Sequence, residues 1–195
     1  MAGLRERKKR ATRIAIRDAA MRLFDEHGFA GTTMDQIAEA ADVSRATVFT
    51  YFPTKEEIVF GDGAAAIDGL AVRLESCHEG TVAVVREWLT ELAGWFEPEL
   101  LLQHRLAREA PIVGARRMQL FGETERVIAE ALRAELGHEL AARLAAASLV
   151  AALRVAEETA AARMEQEDRA LSEDEISALL ANAVAFAEAG IAAIG

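Results

Sequence analysis

Between Gly31 and Ile58 the chain reads GTTMDQIAEAADVSRATVFTYFPTKEEI, and signals that start a helix recur there roughly every ten residues. Thr33 with Gln36 fits a capping box, Ser44 is an N-cap for a helix ending near Phe52, and Thr54 with Glu57 fits a second box opening a longer helix. ADVS, from Ala41 to Ser44, reads as a tight turn. Helices this short are marginal alone. A preceding helix over about residues 8–27 supplies the missing core, because Ile16, Ala19, Ala20, Leu23 and Phe24 follow an i, i+3, i+4, i+7, i+8 stripe with Gly28 as C-cap. Two short helices joined by a turn of about three or four residues make a helix-turn-helix. Its second short helix is presented rather than buried, and in such motifs that helix enters the DNA major groove.

The charge is divided in a way that suits this reading. Residues 1–22 carry eight Lys/Arg against Glu6 and Asp18, a net +6, while residues 61–195 carry 12 against 23 acidic residues, a net −11. A basic arm suits a polyanion, and an acidic body is repelled by one. The RERKKR run from Arg5 to Arg10 is either a solvated tail or an arm that touches DNA backbone or minor groove, and is expected to be disordered without DNA.

The rest reads as helix almost throughout. Hydrophobic residues make up 52% of the 195, with only three prolines, and Ala, Leu, Glu and Arg dominate. Helices are expected at about 62–77, 81–96, 99–109, 113–136, 138–166 and 172–194, the last opened by a Ser172/Glu175 capping box. The fold class is all-α, with residues 1–60 as basic arm and DNA-binding domain and 61–195 as the C-terminal domain. LAAASLVAAL, from Leu144 to Leu153, lies between Arg143 and Arg154 and is far shorter than the roughly 20 residues a membrane-spanning helix needs. The N-terminus is too charged for a secretory signal, and the single cysteine, Cys77, fits a reducing compartment, so a cytoplasmic protein is expected.

No catalytic, cofactor or metal set stands out. His27, His78, His104 and His138 show no paired metal spacing, no glycine-rich phosphate loop occurs, and Cys77 beside His78 is read as an inert thiol, so the chain is expected not to be an enzyme. For base reading, Arg45 is the one residue near the front of the second short helix with a fork of donors for guanine, while Thr47 and Thr50 suit bases or a thymine methyl. Val43, Val48 and Phe52 are read as core. Lys55 at a helix N-terminus works against the macrodipole, which a bound phosphate would explain.

LFDEHGFAGTTMDQIAEAADVS together with VFTYFPTKEEI resembles the tetracycline-repressor (TetR) family of bacterial transcriptional regulators over about residues 10–60. The resemblance implies a dimer on a pseudo-palindromic, inverted-repeat operator, with C-terminal domains that dimerise and bind a small effector. It places Thr33 and Lys55 at phosphates, Arg45, Ala46, Thr47 and Thr50 toward the groove behind the Ser44 cap, and Tyr51 at backbone or base. Phe49 stands where members often carry Tyr, which removes a phosphate contact and leaves Phe49 to pack. By the same analogy Trp88, Trp95, Phe96, His104, Met118 and Phe121 border a cavity for an apolar or amphipathic molecule, although aromatics at helical spacing are more often plain core. Surplus apolar stripes on the last two helices put Leu149, Leu153, Ala156, Leu179, Ala183 and Phe186 at a four-helix dimer interface. The function implied is a ligand-released repressor; the alternative is a DNA-bound structural or cell-division factor of the same fold without a metabolite effector.

Overall fold

The apolar stripe ahead of Gly28 does form a helix, and it runs further in both directions than the spacing predicts. The structure, a computed structural model, describes residues 2–76, 80–96 and 99–192, the side chains of residues 2, 4, 92–96 and 192 excepted. Helix α1 spans Ala2–Gly31 and kinks at Gly28, where φ is 72° and ψ 166°. The basic run is therefore helical rather than disordered: Arg, Lys and Glu are good helix formers, and they extend a helix already nucleated by the buried stripe. Gly28 acts as an internal break, because its positive φ lets the chain turn without steric cost.

Three short helices follow, α2 (Met34–Ala40), α3 (Arg45–Tyr51) and α4 (Lys55–Phe60). The Thr33 capping box is complete: Gln36 N donates to Thr33 Oγ1 at 3.2 Å, and Thr33 N donates to Gln36 Oε1 at 2.8 Å. After α2 the chain closes on itself. Val43 N donates to Ala38 O at 3.0 Å and Asp42 N to Glu39 O at 3.1 Å, with Asp42 left-handed at φ 52°. This is the Schellman pattern, with Asp42 in the place glycine usually takes. The expected Thr54/Glu57 box does not form. Thr54 is extended, makes no side-chain cap bond, and its buried Oγ1 has no partner; α4 is a single short helix halted at Gly61, which has φ 53°. Glu56 and Glu57 still favour the start of α4 by lying in its first turn.

Helices α5 (Gly63–Ser76), α6 (Thr81–Phe96), α7 (Leu100–Glu109), α8 (Pro111–Leu136), α9 (Glu139–Glu167) and α10 (Glu173–Ala192) complete the chain. All lie within a few residues of the predicted spans. Pro111 opens α8 instead of preceding it, because the first helical position needs no N–H donor. No helix of the described residues is long and apolar enough to cross a membrane.

The chain divides into two compact units. One is Met1–Gly61 with Arg105–Arg117, so a short stretch that linear order places in the C-terminal region groups with the N-terminal one. Its core holds Ile16, Ala20, Phe24, Ile37, Val48, Phe52 and Ile58, with Leu106 and Val113 also fully buried. Val43 is half-buried. The other unit is Asp62–His104 with Met118–Gly195. Its core gathers Leu70, Val85, Leu89, Ile128, Leu132, Ala145 and Leu149, and α10 packs on α9 and α6.

Half of the expected dimer set belongs to this core. Leu149, Leu153 and Ala156 are buried inside the protomer, and Leu179 and Ala183 are partly buried against the same cluster. Of α9's two apolar stripes, the inward one is 149, 153, 156 and 160; the outward one presents Leu140, Leu144 and Val155. Phe186 on α10 is 83% exposed. The Ser172/Glu175 box forms as expected, with Glu175 N donating to Ser172 Oγ at 3.3 Å and Ser172 N to Glu175 Oε2 at 2.9 Å.

Candidate nucleic-acid interface

Helix α3 starts where Ser44 can cap it. Thr47 N donates to Ser44 Oγ at 3.0 Å, and the Ser44 and Thr47 hydroxyls lie 2.7 Å apart. One face of α3 is anchored by Val48, fully buried, and the chain leaves it through the buried Phe52. The opposite face is open: Arg45, Ala46, Phe49 and Thr50 are exposed and Thr47 and Tyr51 half-buried. Thr50 Oγ1 donates to Ala46 O at 2.9 Å, and its hydroxyl oxygen can still accept a hydrogen bond. A short helix with one buried row and an open opposite row suits insertion into a groove.

Arg45 carries the guanidinium fork expected from the sequence to face bases. Its Nη1 donates to Asp35 Oδ2 at 3.1 Å, and its guanidinium carbon stands 5.5 Å from the Phe49 ring centroid. Phe49 thus offers an exposed ring face to Arg45 rather than a core contact. Thr33 is exposed at the start of α2, its hydroxyl shared with Gln36 Oε1 at 2.9 Å.

Lys55 is committed in part to the fold. Its Nζ donates to Phe29 O and to Thr32 O, both at 2.7 Å, and lies 4.3 Å from the Phe29 ring centroid. The kinked end of α1 strands carbonyls that a straight helix would satisfy. Thr32 Oγ1 bonds to Leu23 O and Gly28 O, and Lys55 bonds to two carbonyls just beyond. Burial pushes the Lys55 amine below the ordinary lysine value, with Glu56 pulling it back up. An ammonium has three donors, so one N–H is left beyond these two bonds.

A second clamp was not legible in the sequence. Arg13, one of the eight basic residues of the N-terminal region, turns inward: its Nη1 donates to Tyr51 O at 2.8 Å, its Nη2 to Gly61 O at 3.1 Å, and its guanidinium carbon lies 4.1 Å over the Phe52 ring. It ties the end of α3 to the end of α4. The available signal is position: Arg13 lies three residues before Ile16, beside the buried stripe, where a long side chain can cover apolar surface and reach stranded carbonyls.

Of the six expected effector residues, four have described side chains. Trp88 is buried, with Nε1 donating to Ala66 O at 3.2 Å, and Phe121 is also core. Met118 is 57% exposed and His104 half-buried. The side chains of Trp95 and Phe96, like Cys77, His78 and Pro98, lie outside the described residues. An open groove of about 690 Å³ lies elsewhere, between α5, the start of α6 and α8. Ala71, Leu74 and Val127 form its apolar wall, Glu75, Glu130 and Glu135 its polar rim, and among the described residues Trp88, His104, Met118 and Phe121 are not part of its lining. Among the described residues no cluster of His, Cys, Asp and Glu could hold a metal ion.

Comparison with known proteins bears on these elements. Residues 16–60 match the family described as bacterial regulatory proteins, tetR family. The HTH-type transcriptional regulator TcmR of Streptomyces glaucescens is 40% identical over 73 residues, which are 37% of this chain and 32% of TcmR. The chain thus matches about a third of that relative's length. A TetR-family transcriptional regulator structure from Mesorhizobium loti superposes with a TM-score of 0.59 at 21% identity, covering 92% of this chain and 96% of the other. FadR of Thermus thermophilus, a TetR-family repressor solved with lauroyl-CoA, is 27% identical with a TM-score of 0.50, covering 90% of this chain and 92% of FadR.

Proposed function

We propose that this chain, a TetR-family regulator in its helix-turn-helix residues 16–60 and in its all-helical fold, is a sequence-specific transcriptional repressor that binds an inverted-repeat operator as a homodimer and leaves it when a small molecule binds. The observation that carries this is α3: capped by Ser44, anchored by Val48, and presenting Arg45, Ala46, Thr47 and Thr50 on an open face. Arg45 reads guanine, Thr47 and Thr50 contact bases, and Thr33, Tyr51 and the third N–H of Lys55 meet the DNA backbone. The exposed basic residues of α1 add salt-dependent, sequence-independent affinity.

The homodimer interface is the outward stripe of α9, Leu140, Leu144 and Val155, with Phe186 of α10. These exposed large apolar side chains lie on long helices otherwise rich in alanine, and two copies facing each other across a two-fold axis bury them. The effector occupies the groove between α5 and α8. FadR of Thermus thermophilus is in complex with lauroyl-CoA. Glu75, Glu130 and Glu135 on the rim work against an anion of that kind, so the molecule here is amphipathic and neutral or cationic, its apolar part on Leu74 and Val127.

Selection of duplexes by the purified chain from a random library tests this. Enrichment of an inverted repeat is expected, with half-site centres one helical turn, about 34 Å, or a multiple of it apart. Recovery of sequences no different from the starting library overturns it.

A further inference from the structure

Arg45 is held before any DNA arrives. Its Nη1 bonds to Asp35 Oδ2 at 3.1 Å, and the Phe49 ring lies 5.5 Å from its guanidinium carbon. Asp35 comes from the first turn of α2, Phe49 from the next turn of α3, so the side chain is bracketed from two helices. The helix macrodipole accounts for an acid near the start of α2. It does not account for a carboxylate oxygen meeting the base-reading residue ten positions away. Nor does folding: the two side chains are 62% and 64% exposed, and ion pairs so placed contribute little to stability.

We propose that Asp35 is a specificity-determining residue that orients the Arg45 fork for guanine, an inference that rests on α3 lying in the major groove. Arginine has five N–H donors, and Asp35 engages one terminal nitrogen, leaving donors on the other two for O6 and N7 of guanine. An unrestrained arginine loses rotamer freedom on binding; one restrained beforehand loses less, and because the gain cannot exceed the strength of the exposed ion pair that restrains it, it is roughly two- to fivefold in affinity per side chain. The carboxylate has a second effect. Placed beside the groove-facing row, it repels phosphates whatever their sequence, and so weakens binding to random DNA. Asp35 therefore sharpens discrimination twice, by preparing the correct contact and by penalising the indiscriminate one.

The test uses the full chain as wild type, Asp35→Ala, Asp35→Glu, Arg45→Ala and the Asp35→Ala/Arg45→Ala double variant. Each selects duplexes from a random library, and binding is then measured to the selected site, to that site with the guanine pair replaced, and to random duplex. Asp35→Ala is expected to lower discrimination at that one base pair by roughly two- to fivefold, to leave the other positions unchanged, and to tighten binding to random duplex. Asp35→Glu should recover part of the discrimination, and in the Arg45→Ala background the loss of Asp35 should change nothing further at that position. A merely structural role would instead weaken binding to every duplex alike, and that result overturns the proposal. So does an Asp35→Ala variant with wild-type or sharper discrimination. Failure of the wild type to select any sequence has a different signature: it removes the major-groove premise, and the inference falls with it.

Discussion

Replacing Lys55 with methionine keeps the apolar stem and deletes the amine that bonds to Phe29 O and Thr32 O at 2.7 Å each. Hydrogen bonds from a charged donor contribute about 1.5–3 kcal/mol apiece, and the amine above the Phe29 ring about 0.5–1 kcal/mol more. Relief of the desolvation that depresses the Lys55 pKa returns part of this. The net loss should be about 2–4 kcal/mol, a large share of the roughly 5–15 kcal/mol that holds a domain together. In urea unfolding followed by circular dichroism the midpoint should fall while the slope m stays constant. The same variant tests the role of the amine at a phosphate. Measured by fluorescence anisotropy where the variant is still folded, the slope of log K against log[salt] should shrink by about 0.9 for each phosphate that is no longer neutralised. A wild-type midpoint refutes the clamp, and a wild-type salt slope removes Lys55 from the DNA backbone.

Asp42 occupies a left-handed conformation at φ 52°, so Asp42→Gly should raise stability by about 0.5–1 kcal/mol in the same unfolding assay, and a destabilised variant would contradict the assignment of that turn. Hydrogen bonds first from Arg169 and then from the Ser172 backbone hold the Glu175 carboxyl well below the usual carboxylate range. Its stabilising contribution is complete above the ordinary value of about 4.3 and is lost as pH falls through the depressed folded value. Thermal melts of Glu175→Gln should accordingly depend less on pH in the acid range than those of the wild type, and parallel curves would remove the pair from the stability balance. Leu153→Glu and Val155→Glu separate the two stripes of α9. A charge at the buried Leu153 should unfold the chain, whereas at the 53% exposed Val155 it should leave a folded monomer by analytical ultracentrifugation; a dimeric Val155→Glu places the interface on another surface.

The helix-turn-helix was readable because each of its parts is local. Thr33 and Gln36 cap within one turn, Ser44 caps α3, and the Ile16, Ala20, Phe24 stripe needs only helical periodicity. What sequence could not supply is contact across long separations. Arg13 and Tyr51 are 38 positions apart, and Lys55 and Phe29 are 26 apart. Both basic residues look like DNA contacts in a linear count of charge, yet Arg13 gives both terminal nitrogens, and Lys55 two of its three N–H groups, to backbone carbonyls. Thr54 shows the converse limit: a capping-box pattern is present, but its hydroxyl is buried away from the α4 N–H groups. On α9, two apolar stripes of similar strength leave periodicity unable to say which faces inward. Packing decides: Leu149 and Leu153 lie in the core with α10 against α9, while Val155 and Leu144 remain outside. Trp88 is plain core, as aromatics at helical spacing more often are, and its indole N–H serves a backbone carbonyl there.

Methylation protection at guanine N7 probes the major groove alone, and so tests most directly the claim that α3 reads DNA through Arg45. On a duplex selected by the wild-type chain, one guanine in each half-site should be protected at symmetric positions, and Arg45→Ala should restore reactivity at those two guanines while protection elsewhere persists. Full reactivity of every guanine N7 under saturating wild-type protein, or the same protection pattern with Arg45→Ala, would contradict it.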